Sequence, residues 1–207
     1  MANRNTKGFG LIAAGTVGST PATQGQGKYY IIAGNGGGQA GAADLFQGCV
    51  VQSKAGYIVE ASSTRTFLTI GVFNGIFYNA STTLKPTWAN WYNSPITPAN
   101  SENVTAFVID NPLQTFVGSA SAAITQANYG RTVSFAQAVP TGSEISGQCS
   151  NTLDVGNINH TLHQWRLLRT AEDPENNDMT AAYTSVVVAS NLNQYLQNSG
   201  TAGITWQ

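Results

Sequence analysis

Cys149 with His160 or His163 is the one thiol and imidazole pairing in the chain that could join a nucleophile to its base. Thiol chemistry also needs a third group to orient the base, and no signature of a cysteine hydrolase surrounds these residues, so packing carries the weight. The chain has no Gly-x-Ser-x-Gly elbow and no Ser-x-x-Lys. His160 and His163 are three residues apart, which aligns them on a helix but sets them on opposite faces of a strand. Their surroundings, 158–168, read as strand, and a metal site also lacks its third ligand. Asp173, Glu175 and Asn177 have the alternate spacing of the first ligands of a calcium loop. Asp178, however, stands where the sharp turn needs glycine, and Thr184 where the bidentate glutamate belongs. The glycine-rich stretch 35–43 is not followed by Gly-Lys-Ser/Thr and opens no helix, so it reads as a flexible loop and not a phosphate cradle. Cys49 and Cys149 form no Cys-x-x-Cys pair and read as reduced packing residues, with neither a disulfide framework nor a zinc site. No constellation is complete: the expectation is a protein that is not an enzyme and takes no cofactor or metal. Trp88, Trp91 and Tyr92 remain, as an aromatic platform for a sugar or an anchor at a protein interface.

The elements that must carry these residues are short and β-type. Tyr29–Ile32, Phe46–Val51, Tyr57–Ala61, Thr66–Val72 and Gly75–Tyr78 are apolar or β-branched runs bounded by Gly, Ser or Asn. Val104–Ile109 and Gln114–Val117 flank Asp110-Asn111-Pro112 and read as a hairpin. Residues 131–138, 164–168 and 185–189 supply later strands. Ser190 is placed to cap a short helix with Leu192, Tyr195 and Leu196 on one face. Residues 1–27 are rich in glycine and poor in core formers, and read as an extended N-terminal arm before a single β-rich domain, 28–207. The expected fold is mainly β, a sandwich or barrel with that arm and at most a short C-terminal helix.

Composition narrows the partners. Charged residues make up 9% of the 207, against roughly 25% in an ordinary soluble domain. The polar surface is therefore built from Asn, Gln, Ser, Thr and Gly, and is weakly defended against association. A net charge of -1 supplies no basic field for nucleic acid. No apolar run approaches the roughly 20 residues of a membrane helix. The stretch 9–14 after Arg4 and Lys7 is too short, and too soon broken by Gly15 and Gly18, for a secretory signal.

A chain of short marks runs through the sequence: Met1-Ala2-Asn3, Phe9-Gly10-Leu11, Tyr30-Ile31-Ile32-Ala33-Gly34, Asp44-Leu45-Phe46-Gln47-Gly48 before Val50, and Gly71-Val72-Phe73-Asn74-Gly75. Trp88 or Trp91 follows, then Ala106-Phe107-Val108-Ile109-Asp110-Asn111-Pro112 with Phe116, Gln126-Ala127-Asn128-Tyr129-Gly130, Ser150-Asn151-Thr152-Leu153-Asp154 and Gln164-Trp165-Arg166-Leu167. In this order, over nearly the whole chain, the pattern resembles the small structural proteins encoded with the major capsid protein of many tailed phages, the capsid cement or decoration proteins. It departs from them at Cys49, where an acidic residue is expected, in lacking basic and proline residues after Gly10-Leu11, and in a longer 35–43 loop.

The resemblance implies a β-sandwich or barrel on the outer capsid surface, a homotrimer that bridges neighbouring major capsid subunits after assembly in the host bacterial cytoplasm. Low charge suits surfaces pressed together, since each desolvated ion costs several kcal/mol unless well paired. In this reading the arm adds a strand to a neighbouring subunit. Phe9, Leu11, Trp88, Trp91 and Tyr92 are the expected interface residues. The alternatives are a carbohydrate-binding or tail-associated phage module using Trp88, Trp91 and Tyr92, and a tail-tube protein.

Overall fold

Short runs of Val, Ile and aromatic residues, cut by Gly, Asn and Ser, cannot bury an apolar face alone and must pair into sheets. A computed structural model describes residues 3–18, 25–31, 44–61, 68–136, 141–159 and 163–196. Fourteen strands lie in them: β1 Leu11–Thr16, β2 Gly27–Ile31, β3 Leu45–Phe46, β4 Val50–Lys54, β5 Tyr57–Glu60, β6 Gly71–Asn79, β7 Pro86–Ala89, β8 Trp91–Tyr92, β9 Val104–Ile109, β10 Gln114–Ser119, β11 Thr132–Ala136, β12 Thr152–Asn159, β13 Trp165–Thr170 and β14 Ser185–Ser190. The only helical turns among the described residues are 3-10 turns at Ala99–Ser101 and Gln126–Asn128.

One six-stranded sheet has the order β1-β10-β14-β13-β11-β12; the other runs β2-β9-β6-β4-β5, with β7 also on β6, and β3 pairs with β8. The fold is mainly β and sandwich-like, and the sheets do not close into a barrel. A first core cluster lies between the two large sheets: Phe116 meets Trp165 edge to face at 5.4 Å, Val186, Val188 and Leu153 pack beside them, and Val50, Val72 and Ile109 join from the second sheet. A second cluster, with Val51, Phe73, Ile76, Val104, Ala106 and Val108, lies on the opposite face of the second sheet from Val50, Val72 and Ile109 and takes in Leu45 and Tyr92 from β3 and β8.

Several expectations change. Residues 104–109 and 114–117 do form strands, but not a hairpin. Both edges of β9 are taken, by β2 and β6, and both edges of β10, by β1 and β14. The turn, closed by Gln114 N–H donating to the Asn111 carbonyl at 3.0 Å, passes the chain from one sheet to the other. Phe46–Val51 is two strands because Gly48 has φ 94, a left-handed conformation that favours glycine and breaks the pairing direction. Residues 71–79 are one strand with a bulge between Phe73 and Gly75, so Gly75 bends the strand without ending it. The helix expected after Ser190 is absent from 191–196. Backbone bonds there go outward instead: Thr69 N–H donates to Leu192 O, and Gln194 N–H to Thr69 O at 2.8 Å.

The arm is corrected for residues 3–18, which are extended but belong to the domain. β1 pairs with β10, Leu11 is 2% exposed, and Gly10 and Leu11 donate backbone bonds to Asn151 and Gly48. Asn3 is fixed at four points: its Nδ2 donates to the carbonyls of Asp178 and Ala182 and to Thr184 Oγ1, and its Oδ1 accepts from Asp178 N–H. An amide that replaces so many water contacts holds the segment down without apolar burial.

Candidate interaction surface

Strand alternation sends every second residue of the second sheet outward, and register decides which outward residues meet. Tyr30 of β2 pairs with Thr105 of β9, Thr105 with Phe77 of β6, and Phe77 with Trp88 of β7. These four side chains therefore form one row across four strands. Neighbouring strands lie about 4.8 Å apart, so Phe77 and Trp88 are in contact range and Tyr30 stands roughly 10 Å from Phe77. The aromatic members are open to solvent: Tyr30 54%, Phe77 40% and Trp88 48%. None of the four is charged.

Trp88 is seated on the sheet. Its indole lies 5.0 Å from the Phe107 ring, tilted, and Nε1 donates to Asn90 Oδ1 at 3.3 Å. It packs so closely over Gly75 that a Cβ there would stand 2.7 Å from the indole. Glycine at that bulge is what lets the indole lie down. An aromatic surface held in place before a partner arrives loses little side-chain freedom on binding.

The five interface residues expected from the sequence are scattered. Trp88 belongs to the exposed row. Trp91 is half-buried and stacks on Phe46 at 5.6 Å with the rings parallel. Tyr92 is fully buried, and burial pushes its hydroxyl pKa up. Trp91 and Tyr92 are successive strand residues on opposite faces, so no platform of Trp88, Trp91 and Tyr92 exists. Leu11 is core. Phe9 is half-buried and borders a cleft of about 260 Å³ lined also by Ile12, Gln47, Val72, Asn74 and Gln148. Comparison with protein families, curated proteins and solved structures returned no match.

Tyr30 and Phe77 were missed. Tyr29-Tyr30 shows from sequence that one of two aromatics must face out, but not which, nor what stands beside it across three strands. The other candidates have structural explanations. Asp173 Oδ2 accepts from Asn176 Nδ2 at 2.8 Å and Oδ1 from Glu175 N–H, while Asn176 Oδ1 accepts from Asn5 N–H. These bonds, that from the Asn176 amide first, hold the Asp173 carboxyl below its usual range. The loop thus serves as the dock for residues 3–5. Among the described residues no three His, Cys, Asp or Glu side chains gather to hold a metal ion. His163 is buried, with its backbone N–H donating to Thr132 Oγ1; His160 and the 35–43 loop lie outside the described residues. Cys149 has its sulfur against Cys49.

Proposed function

We propose that this chain is a structural virion protein that binds the outer surface of a tailed-phage capsid and cements neighbouring major capsid subunits, acting as a homotrimer. The observation that carries the reading is the uncharged row Tyr30, Thr105, Phe77 and Trp88 on the open face of a sheet. Aromatic residues that are exposed, aligned and pre-seated supply burial to a partner surface at low cost in entropy. The scarcity of charge, 9% of residues, suits a surface pressed against other subunits, and the ordered phage-like marks of the sequence point the same way.

The mechanism differs from strand addition by an N-terminal arm. Residues 3–18 are engaged within the domain, so the sheet face takes the role of first contact. Several modest contacts made by one trimer across a capsomer boundary reinforce each other, because once one subunit is held the others bind at high effective concentration. Anything that binds only the expanded shell stabilises it by mass action.

The deciding experiment adds purified protein to expanded shells stripped of accessory proteins and reads occupancy and shell melting after sedimentation. Saturable binding at a fixed ratio to the shell protein, with a raised shell melting temperature, is expected. Failure to sediment with shells at micromolar protein overturns the reading. The same row favours a second reading, stacking on sugar rings with Trp88 as its strongest face. Binding to a glycan array that is lost in Trp88→Ala, without binding to shells, selects it.

A further inference from the structure

Cys49 and Cys149 are a hundred residues apart in sequence, and their sulfurs stand 2.6 Å apart in the first core cluster. Carbon atoms in van der Waals contact sit roughly 3.5–4.0 Å apart. The sulfurs are thus well inside ordinary contact. The residues are 0% and 2% exposed. Their backbones are fixed by bonds that do not depend on the thiols. Cys49 N–H donates to Phe46 O and Phe73 N–H to Cys49 O. Cys149 N–H donates to Gln47 O at 2.9 Å, and Gln47 bridges Gln148 in parallel. Asn151 Oδ1 accepts from the Cys149 thiol at 3.1 Å.

We propose that Cys49 and Cys149 are a cross-linking site, at which a low-molecular-weight disulfide of the glutathione class converts the thiol pair to an intrachain disulfide. The first cysteine, as thiolate, attacks the small disulfide, forming a mixed disulfide and releasing one small thiolate. The second cysteine, having lost its proton, attacks the protein-side sulfur and releases the second. The protein gives up two electrons and two protons, and the small disulfide takes them as two thiols. Burial pushes the Cys49 thiol up, and the hydrogen bond it donates to Cys149 adds to it, so in the closed chain Cys49 is held as an unreactive thiol. Exchange therefore takes place when the chain is open, on folding or local unfolding.

The cross-link would sit where the N-terminal segment is clamped. Gly10 N–H donates to Asn151 O and Leu11 N–H to Gly48 O, one bond on each side of the cysteine pair. Joining the two walls covalently fixes the slot that residues 8–11 occupy and closes a long loop in the unfolded chain, which disfavours unfolding.

To test this, the full chain is unfolded with reductant, refolded in buffers of increasing oxidised to reduced glutathione, quenched with acid, and alkylated with iodoacetamide after denaturation. Refolding from the open chain keeps burial from blocking access. Mass spectrometry is expected to show two alkylated thiols at the reducing end. At the oxidising end it should show none, on a monomer without glutathione adducts. The oxidised form is expected to melt several degrees higher, with the difference erased by dithiothreitol and absent in Cys49→Ser and Cys149→Ser. Two free thiols at the oxidising end, stable glutathione adducts, or disulfide-linked dimers overturn the proposal. Since the readout is in the wild-type chain, a variant that folds poorly does not remove the test.

Discussion

The side-chain amide of Gln194 closes a two-bond ring on the backbone of Ser53: Nε2 donates to the Ser53 carbonyl at 2.9 Å, and Ser53 N–H donates to Oε1 at 2.8 Å. A side chain here imitates a paired strand. It lets the segment after β14, a strand of the first sheet, grip β4 in the second. With Gln194 N–H on Thr69 O, it replaces the apolar packing that a helix over 191–196 would have used.

Gln194→Ala removes both bonds and leaves Ser53 to water. A loss of about 1–3 kcal/mol is expected, since unmade bonds at part-buried groups cost more than made ones contribute. Gln194→Glu keeps the acceptor but faces a carboxylate to the Ser53 carbonyl. It is expected to be worse than the alanine variant at pH 7 and to recover near pH 4, read by thermal melts at both values.

Asn3 does for the other end of the chain what Gln194 does for this one. Asn3→Ala removes the bonds that Asn3 makes to Asp178 N–H, to the carbonyls of Asp178 and Ala182 and to Thr184 Oγ1. The expected result is faster tryptic cleavage after Arg4 and Lys7, with the core melting temperature changed little. Unchanged cleavage rates would show that Arg4, bonded to Glu175 at 2.6 Å, or Leu11 holds the segment alone.

Glu60 at the end of β5 carries a carboxyl pushed above its ordinary value. Burial is the main cause, opposed by its own backbone N–H and by Lys54. Among the described residues its Oε2 has no hydrogen-bond partner. A carboxyl whose folded pKa lies above its unfolded one, about 4.3 for glutamate, is best tolerated protonated. Stability is therefore lost as pH rises from that value through the raised folded one. Glu60→Gln is expected to melt higher than wild type at pH 7 and to match it below about pH 4. Equal melting temperatures at both pH values would remove Glu60 from the account.

Phe77→Ser with Trp88→Ala separates surface function from fold. Both side chains lie outside the two cores, so a change near 1 kcal/mol in stability is expected. Shell binding in the sedimentation assay should weaken by tenfold or more, as for a central aromatic anchor. Intact binding with both rings removed would place the contact elsewhere on the protein.

How far the sequence reached follows from the range over which each signal acts. Strands at 27–31, 57–60, 104–109, 132–136, 165–170 and 185–190 coincide with runs whose apolar content is local and visible. β12 was hidden because Asp154, Gly156 and Asn157 dilute it; Leu153 and Val155, with the partly buried Ile158, carry its inner face. The false hairpin arose because a turn sequence specifies a reversal of direction, while the sheet each arm joins depends on which edges distant strands have taken. The same limit applied to the candidate surface. Trp88 stood out by its type, but setting Tyr30 and Phe77 beside it needs the register of four strands. The meeting of Cys49 and Cys149 leaves no local trace at all.

β14 lies between β10 and β13, yet it is the last strand in the described chain. A chain emerging from the ribosome must therefore hold β10 and β13 apart, each with an unsatisfied edge, until residues 185–190 arrive to fill the gap. Such open edges invite pairing with other chains. A product truncated before Ser185 loses a central plank of its first sheet, and accumulates as aggregate instead of as a shortened domain.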